Sequence, residues 1–245
     1  MVILLFGKQY ICVASNKGGV GKTVVSIGLA EALSKKRGVL LLDLDVHGPD
    51  VLARLGLSPS LVDWSQSKVR PIYYKPNIWA FSADCLADDQ ASGYLARDDE
   101  KRAYIRSTMS QLDMHGIKYV VCDMPAGTDS VLSFWLRDRA PDNIVIVTNP
   151  ERTSVLDTEK LVNLLVHYNL IDKITGVVEN MAYVMGPDGL RGRRFNNANV
   201  RLEVCEQYGI KYLGEIPEVV SWDGSMPDAN RIYELPIFAA IAEVL

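Results

Sequence analysis

A doubly wound, mostly parallel α/β sheet with helices on both faces is the architecture this sequence predicts, and three observations predict it. Short apolar runs alternate with stretches of helical periodicity along most of the chain. Several runs are apolar at every position, as strands covered on both sides must be. A glycine-rich segment separates the first strong run from the first helical pattern, and sheets of this kind bind ligands there, beyond the carboxyl ends of their strands.

Taken in chain order, strands are expected at Ile11–Ser15, Val39–Leu44, Ile78–Phe81, Tyr119–Asp123, Asn143–Thr148, Gly176–Glu179 and Lys211–Gly214. Helices are expected near 22–36, 99–114, 154–168, 198–208 and 236–244. In the first of them Val25, Leu29, Ala32 and Leu33 recur at helical spacing. Residues 57–77, with Pro59, Pro71 and Pro76, read as an irregular excursion; residues 183–200, with Gly186, Pro187, Gly189 and Gly192, read as a long loop. No repeat, low-complexity tract or linker divides the chain, so a single domain over 1–245 is expected.

Composition narrows the class. Of the 245 residues 48% are hydrophobic and 23% charged, a soluble globular balance too apolar for a disordered chain. The longest apolar stretches, such as Ile144–Thr148, fall far short of the ~20 residues that span a bilayer. Met1–Phe6 is apolar but lacks a basic leader and a small-residue cleavage site. The net charge of −4 argues against a nucleic-acid footprint over the whole protein. Cys12, Cys85, Cys122 and Cys205 form no Cys-x-x-Cys, and a cytoplasmic protein with reduced thiols is expected. His47, His115 and His167 have no metal-site spacing.

After the first strand comes Asn16-Lys17-Gly18-Gly19-Val20-Gly21-Lys22-Thr23, then a helix. Glycines let backbone N–H groups wrap around phosphates, and a helix N-terminus adds positive potential. Lys22 would reach the β- and γ-phosphates, and the Thr23 hydroxyl would ligate Mg²⁺. Asn16 stands where the usual pattern has its first glycine, and Lys17 adds a second lysine near the start of the loop.

Lys17–Thr23 resembles the deviant Walker A loop of the MinD/ParA/nitrogenase-reductase class of P-loop ATPases. The resemblance implies ATP and Mg²⁺ as ligands, a homodimer closed across the nucleotide, and a Lys17 that reaches the phosphates of the partner subunit. A cation placed there would offset charge that spreads over the phosphate in the transition state. The class's second threonine after the loop is Val24 here.

The second strand ends in Asp43-Leu44-Asp45, with carboxylates on one side of the strand, and Asp50 follows as an expected helix N-cap. Such carboxylates near a phosphate loop hold Mg²⁺ waters or orient an attacking water. By resemblance Asp45 positions the water and Asp43 supports the metal shell. Asp123, closing an apolar strand, is the expected Walker B carboxylate, and Gly127 would bring the backbone to the γ-phosphate.

Within the class, His47-Gly48-Pro49, Asp123-Met-Pro-Ala-Gly-Thr128, Gly176-Val-Val-Glu-Asn-Met181 with Tyr183, and Gly214-Glu-Ile-Pro217 resemble segments of the Mrp/Nbp iron–sulfur carrier ATPases, over roughly residues 10–230. The resemblance implies that Asn180 hydrogen-bonds adenine and that Pro217 and Glu218 pack beside it. One departure is sharp. Where the carriers place the Cys-Pro-x-Cys that holds a [4Fe–4S] cluster between two subunits, this chain reads Gly186-Pro187-Asp188-Gly189. Thiolates hold such clusters, so no cluster is expected at that position. The carriers' Trp-Arg-Gly-Pro segment is also absent, with at most Arg97 surviving from it.

The expectation is therefore an ATP-hydrolysing, Mrp-like dimeric switch with an unknown protein partner. Two alternatives stand beside it. One is a MinD/ParA-like positioning ATPase, although the C-terminal segment 236–245 has no lysine or arginine to bind a membrane, and DNA contact would rest on Arg191, Arg193 and Arg194. The other is a metallocentre-maturation adaptor that docks a partner instead of carrying a cluster.

Overall fold

The computed structural model describes residues 7–46, 48–63, 68–82, 85, 98–127, 130–139, 141–185, 190–193, 195, 198–218 and 230–245. Its frame is an eight-stranded sheet. The strands are β1 (Gln9–Ala14), β2 (Gly38–Asp43), β3 (Ile72–Lys75), β4 (Ile78–Ser82), β5 (Ile117–Asp123), β6 (Asn143–Thr148), β7 (Ile174–Glu179) and, after a two-stranded ribbon of β8 (Val184–Met185) and β9 (Arg191–Gly192), β10 (Tyr212–Glu215). Their order is β10-β7-β6-β1-β5-β2-β4-β3. Every neighbouring pair is parallel except β3 with β4. The continuous apolar runs have the predicted consequence: all six residues of β2 and five of the six in β6 are buried.

The helices are α1 (Lys22–Ser34), α2 (Val51–Arg54), α3 (Asp98–Gln111), α4 (Ser130–Phe134), α5 (Arg152–His167), α6 (Asn230–Tyr233) and α7 (Pro236–Val244). Helix α1 packs on β2 and β5 and is covered by α6 and α7; α3 contacts α4. None of the helices among the described residues is long and apolar enough to cross a membrane. Connections from β1 run to β2 on one side, and those from β6 run to β7 on the other. A crevice therefore opens beyond the carboxyl ends of the central strands.

Three expectations need correction. Residues 57–77 are not wholly irregular: β3 forms a hairpin with β4, turned at Asn77, whose φ of 64° is in the left-handed region that asparagine tolerates. Pro71 and Pro76 bracket it, which an edge strand accepts because it needs no complete ladder. The expected helix 198–208 is mainly a π-helical segment, Arg201–Glu206. The expected loop 183–200 contains the β8–β9 ribbon, while Gly186, Pro187, Asp188 and Gly189 lie outside the described residues, as do His47 and Arg97.

Helices α1 and α7 approach at Gly28. A Cβ there would lie 2.5 Å from the ring of Phe238, which is only 1% exposed and has nowhere to swing. Alanine at a helix interior gains about 1 kcal/mol over glycine, but overpacking a filled core costs about 1–3 kcal/mol. Gly28→Ala is therefore expected to lower the thermal unfolding midpoint, and adding Phe238→Leu should recover part of the loss. A midpoint that rises in the single variant would show that the α1–α7 contact yields.

Candidate nucleotide site

The loop after β1 is built for close approach. Gly19 and Gly21 have φ of 77° and 89°, where a side chain would strain the backbone. Gly21 occupies the N-cap of α1 without a side-chain cap, so the amides that open the helix face the crevice. The Ser15 hydroxyl accepts the Lys17 amide at 3.1 Å, and the Ser15 carbonyl accepts the Gly127 amide at 3.2 Å, which joins this loop to the one after β5. The Gly127 amide, expected at a phosphate, is thus bonded to Ser15 here.

Beside the loop lies a cavity of about 310 Å³, whose lining includes Gly18, Gly19, Gly21, Lys22, Thr23, Val24, Asp45, Asp50, Arg54 and Asp123. Lys22 is 8% exposed. Burial pulls its ammonium below the usual lysine range, against the attraction of Asp123, Asp45 and Asp50. Asp123 is pushed up to about 6 by burial, opposed by hydrogen bonds from the Thr23 and Ser26 hydroxyls and by the Lys22 charge. The buried Ser26 Oγ donates to Asp123 Oδ1 at 3.0 Å. Asp45 accepts the Gly48 amide at 3.1 Å and keeps a place on the cavity wall.

Asp43, expected in the metal shell, has a different engagement. It stands directly across from Asp123 on the neighbouring strand. Its Oδ1 accepts the Asp45 amide at 3.0 Å, and its Oδ2 accepts the amides of Asp50 and Val51 at 3.1 and 3.2 Å. Asp43 therefore caps α2 from a distance. Asp50, the expected cap, sits at the N-cap without a capping bond and pairs with Arg54 Nε at 2.6 Å. Burial, and then the charge of Asp123, pushes the Asp43 carboxyl up to about 8, despite the amides that favour its ionised form.

On the opposite flank, Asn180 is buried, and its Nδ2 donates to the Val20 carbonyl at 2.7 Å. A Cβ on Gly21 would overlap that amide, so the glycine is required by this neighbour as well as by its φ. Pairing Nδ2 with a carbonyl settles which way the amide faces and leaves Oδ1 as an acceptor. Met181, in the left-handed region at φ 53°, lines the cavity. Pro217 precedes Glu218, whose amide donates to the Tyr183 carbonyl at 2.7 Å and so places this segment beside the Asn180 turn. Sequence reasoning passed over Ser26 and Arg54, because no motif singles them out, and gave Met181 no role although its segment was read as a motif.

Lys17 does not line the cavity. Its Nζ lies 2.6 Å from Glu151 Oε2 and 2.7 Å from Thr153 Oγ1, at the start of α5. The hydrogen bond from Lys17 holds the Glu151 carboxyl below the usual range. Arg191 and Arg193 face Glu215 at 3.7 and 3.2 Å, with Arg191 also over the Tyr183 ring at 4.2 Å; Arg194 lies outside the described residues. These two arginines are thus partly neutralised within the chain. All four cysteines are buried, and burial pushes the Cys205 thiol up to about 11.

Among the described residues no three His, Cys, Asp or Glu side chains form a ready metal cage. The chemistry of the wall still fits a magnesium nucleotide. Uncapped amides and Lys22 suit a polyphosphate, while Thr23, Asp45 and Asp123 suit a cation that keeps most of its waters.

The Asp43 shift has a signed consequence. In the folded state the carboxyl is protonated up to about pH 8, but it ionises near 3.9 when unfolded. Its contribution to stability is full below about pH 4 and is lost as pH rises towards 8. In magnesium- and nucleotide-free buffer, the melting temperature of Asp43→Asn minus that of wild type should move in the variant's favour between pH 5 and pH 8. A difference that stays constant would refute the protonated assignment.

A family model described as ParA: NUBPL iron-transfer P-loop NTPase matches residues 7–232. The iron-sulfur cluster carrier protein of Saccharolobus solfataricus is 32% identical over 234 residues, 94% of this chain and 76% of that protein. The protein of the same name from Methanocaldococcus jannaschii is 31% identical over 214 residues, 86% of this chain and 72% of its own length. Among solved structures, the nucleotide-binding protein of Archaeoglobus fulgidus in complex with ADP superposes with a TM-score of 0.71 at 25% identity, covering 95% of this chain and 87% of that one. The septum site-determining protein MinD of Pyrococcus horikoshii, complexed with Mg-ADP, shares the fold with a TM-score of 0.65 at 21% identity, covering 96% and 95%. With its phosphate loop, paired acidic strand ends and most of its length matched, the chain belongs to the ParA/NUBPL family of iron-transfer P-loop NTPases.

Proposed function

We propose that this protein binds and hydrolyses Mg-ATP as a homodimeric switch related to the iron–sulfur carriers but without their bridging cluster. The observation that carries the reading is the uncapped start of α1 beside the buried Lys22 and Asp123, a phosphate-and-cation cradle in one wall. The bound ADP of the A. fulgidus relative and the Mg-ADP of MinD support the choice of ligand.

In this reading the amides of Gly18, Gly19, Val20 and Gly21 hold the phosphates, and Lys22 offsets their charge. Thr23 and Asp123 hold the Mg²⁺ shell, with Val24 in place of a further hydroxyl. Asp45 orients the water that attacks the terminal phosphorus, giving ADP and inorganic phosphate. Gly127 moves towards the γ-phosphate when its bond to Ser15 opens. Asn180 Oδ1 accepts from the amino group of adenine, with Pro217 and Glu218 alongside. Asp43 acts at one remove, through the amides it holds. Lys17 leaves Glu151 and crosses to the partner's phosphates when two copies close on ATP, and cation placement of that kind lowers the barrier to phosphoryl transfer. The whole chain, 1–245, serves as one domain in the cytosol, the compartment in the name of a relative 29% identical over 217 residues, the cytosolic Fe-S cluster assembly factor NBP35 of Kluyveromyces lactis.

The task is that of a maturation adaptor before that of a cluster carrier. Gly186 and Gly189 supply no thiolate, and the four cysteines are buried. Arg191 in β9 and Arg193 just after it then belong to a protein-docking face, not a nucleic-acid face.

Lys22→Ala is expected to abolish ATP binding in calorimetry and, with it, any ATP-dependent dimer seen by light scattering; retained affinity would sink the assignment. Anaerobic reconstitution with iron and sulfide should leave the dimer without stoichiometric iron by absorbance and metal analysis. A bound cluster on the dimer would restore the carrier reading.

A further inference from the structure

The cavity wall carries a second cation with no role in the account above. Among the described lining residues Lys22 and Arg54 are positively charged, against the carboxylates of Asp45, Asp50 and Asp123. Arg54 closes α2, and its Nε is held by Asp50 Oδ2 at 2.6 Å. Its two Nη groups make no hydrogen bond to the described residues, so they remain as donors in a planar fork suited to phosphate. The mount is firm while the side chain is only half covered. Asp43 pins the first turn of α2 through the Asp50 and Val51 amides, yet the Arg54 side chain is 47% exposed.

Position along the sheet gives the direction. Met181 and Asn180 follow β7, the phosphate loop follows β1, and α2 follows β2, with β6 and β5 between them in the order β7-β6-β1-β5-β2. Arg54 is thus on the β2 side of the phosphate loop, and Asn180 on the β7 side. A nucleotide whose base lies at Asn180 and whose first phosphates lie on the loop directs its last phosphate towards α2.

We propose that Arg54 reads the terminal phosphate of a nucleoside triphosphate bound in the same chain, through its Nη groups, and so makes the site prefer ATP over ADP. This rests on the nucleotide site proposed above and adds a residue that distinguishes the two ligands. ADP lacks the group that Arg54 would contact, so the residue adds nothing to ADP binding.

Calorimetry on the full chain tests it, with the non-hydrolysable triphosphate AMPPNP and with ADP, each with Mg²⁺. Arg54→Ala should weaken AMPPNP binding about tenfold or more, the scale of a charge-assisted hydrogen bond, and change ADP binding by less than about twofold. Arg54→Lys, which keeps the charge but not the fork, should lie between. Melting curves check that both variants fold. An equal loss for both nucleotides, or no loss for AMPPNP, overturns the assignment of Arg54 and leaves the nucleotide site standing, because wild type still binds. A wild-type protein that binds neither nucleotide overturns both.

Discussion

Two carboxylates, Asp43 and Asp123, end neighbouring parallel strands side by side in the interior, and the site is arranged around the cost of burying them. Each is accommodated in its own way. Asp43 collects backbone amides from the segment that follows it, which turns a charge problem into a structural tie between β2 and α2. Asp123 collects the hydroxyls of Thr23 and Ser26 and the charge of Lys22, which ties β5 to α1. Neither solution neutralises the pair fully, since both carboxyls lie above their ordinary range. A buried carboxylate left in that condition favours any cation that can enter.

Helix α1 transmits this arrangement to the rest of the molecule. Its first turn supplies Lys22, Thr23 and, one turn on, Ser26; its middle meets α7 at Gly28 with no room for a Cβ. At its N-cap, Gly21 nests against Asn180, whose amide holds the Val20 carbonyl. The phosphate side and the β7 side of the crevice are therefore joined by a direct bond, and displacement of one wall strains the other.

The central strands were legible because strands buried on both faces must be apolar throughout, a local property that needs no knowledge of the fold. Asn143–Thr148 in the sequence reading and β6 coincide. The edge strand β3 was not legible, since flanking prolines and mixed polarity signal irregularity wherever a strand has one open side. Helix α2 was legible only at its start: Asp50 stands at its N-cap as expected, but the bond to the Val51 amide comes from Asp43, eight residues before it. The phosphate loop could be read as a contiguous motif. The engagement of Lys17 with Glu151, over a hundred residues away, could not, nor could the presence of Arg54 at the cavity. Contiguous chemistry is written locally, whereas the partners that hold it are chosen by topology.

The margins of the sheet have a consequence of their own. Both terminal strands, β3 and β10, are four residues long, so a neighbouring chain that tried to continue the sheet would gain only a few ladder bonds. Glu215, in β10, is met by Arg191 and Arg193, and Lys75, in β3, pairs with Glu31. Charged side chains at short margins discourage strand-to-strand accretion. For a protein with so apolar an interior, these two margins disfavour growth into fibrils edge by edge.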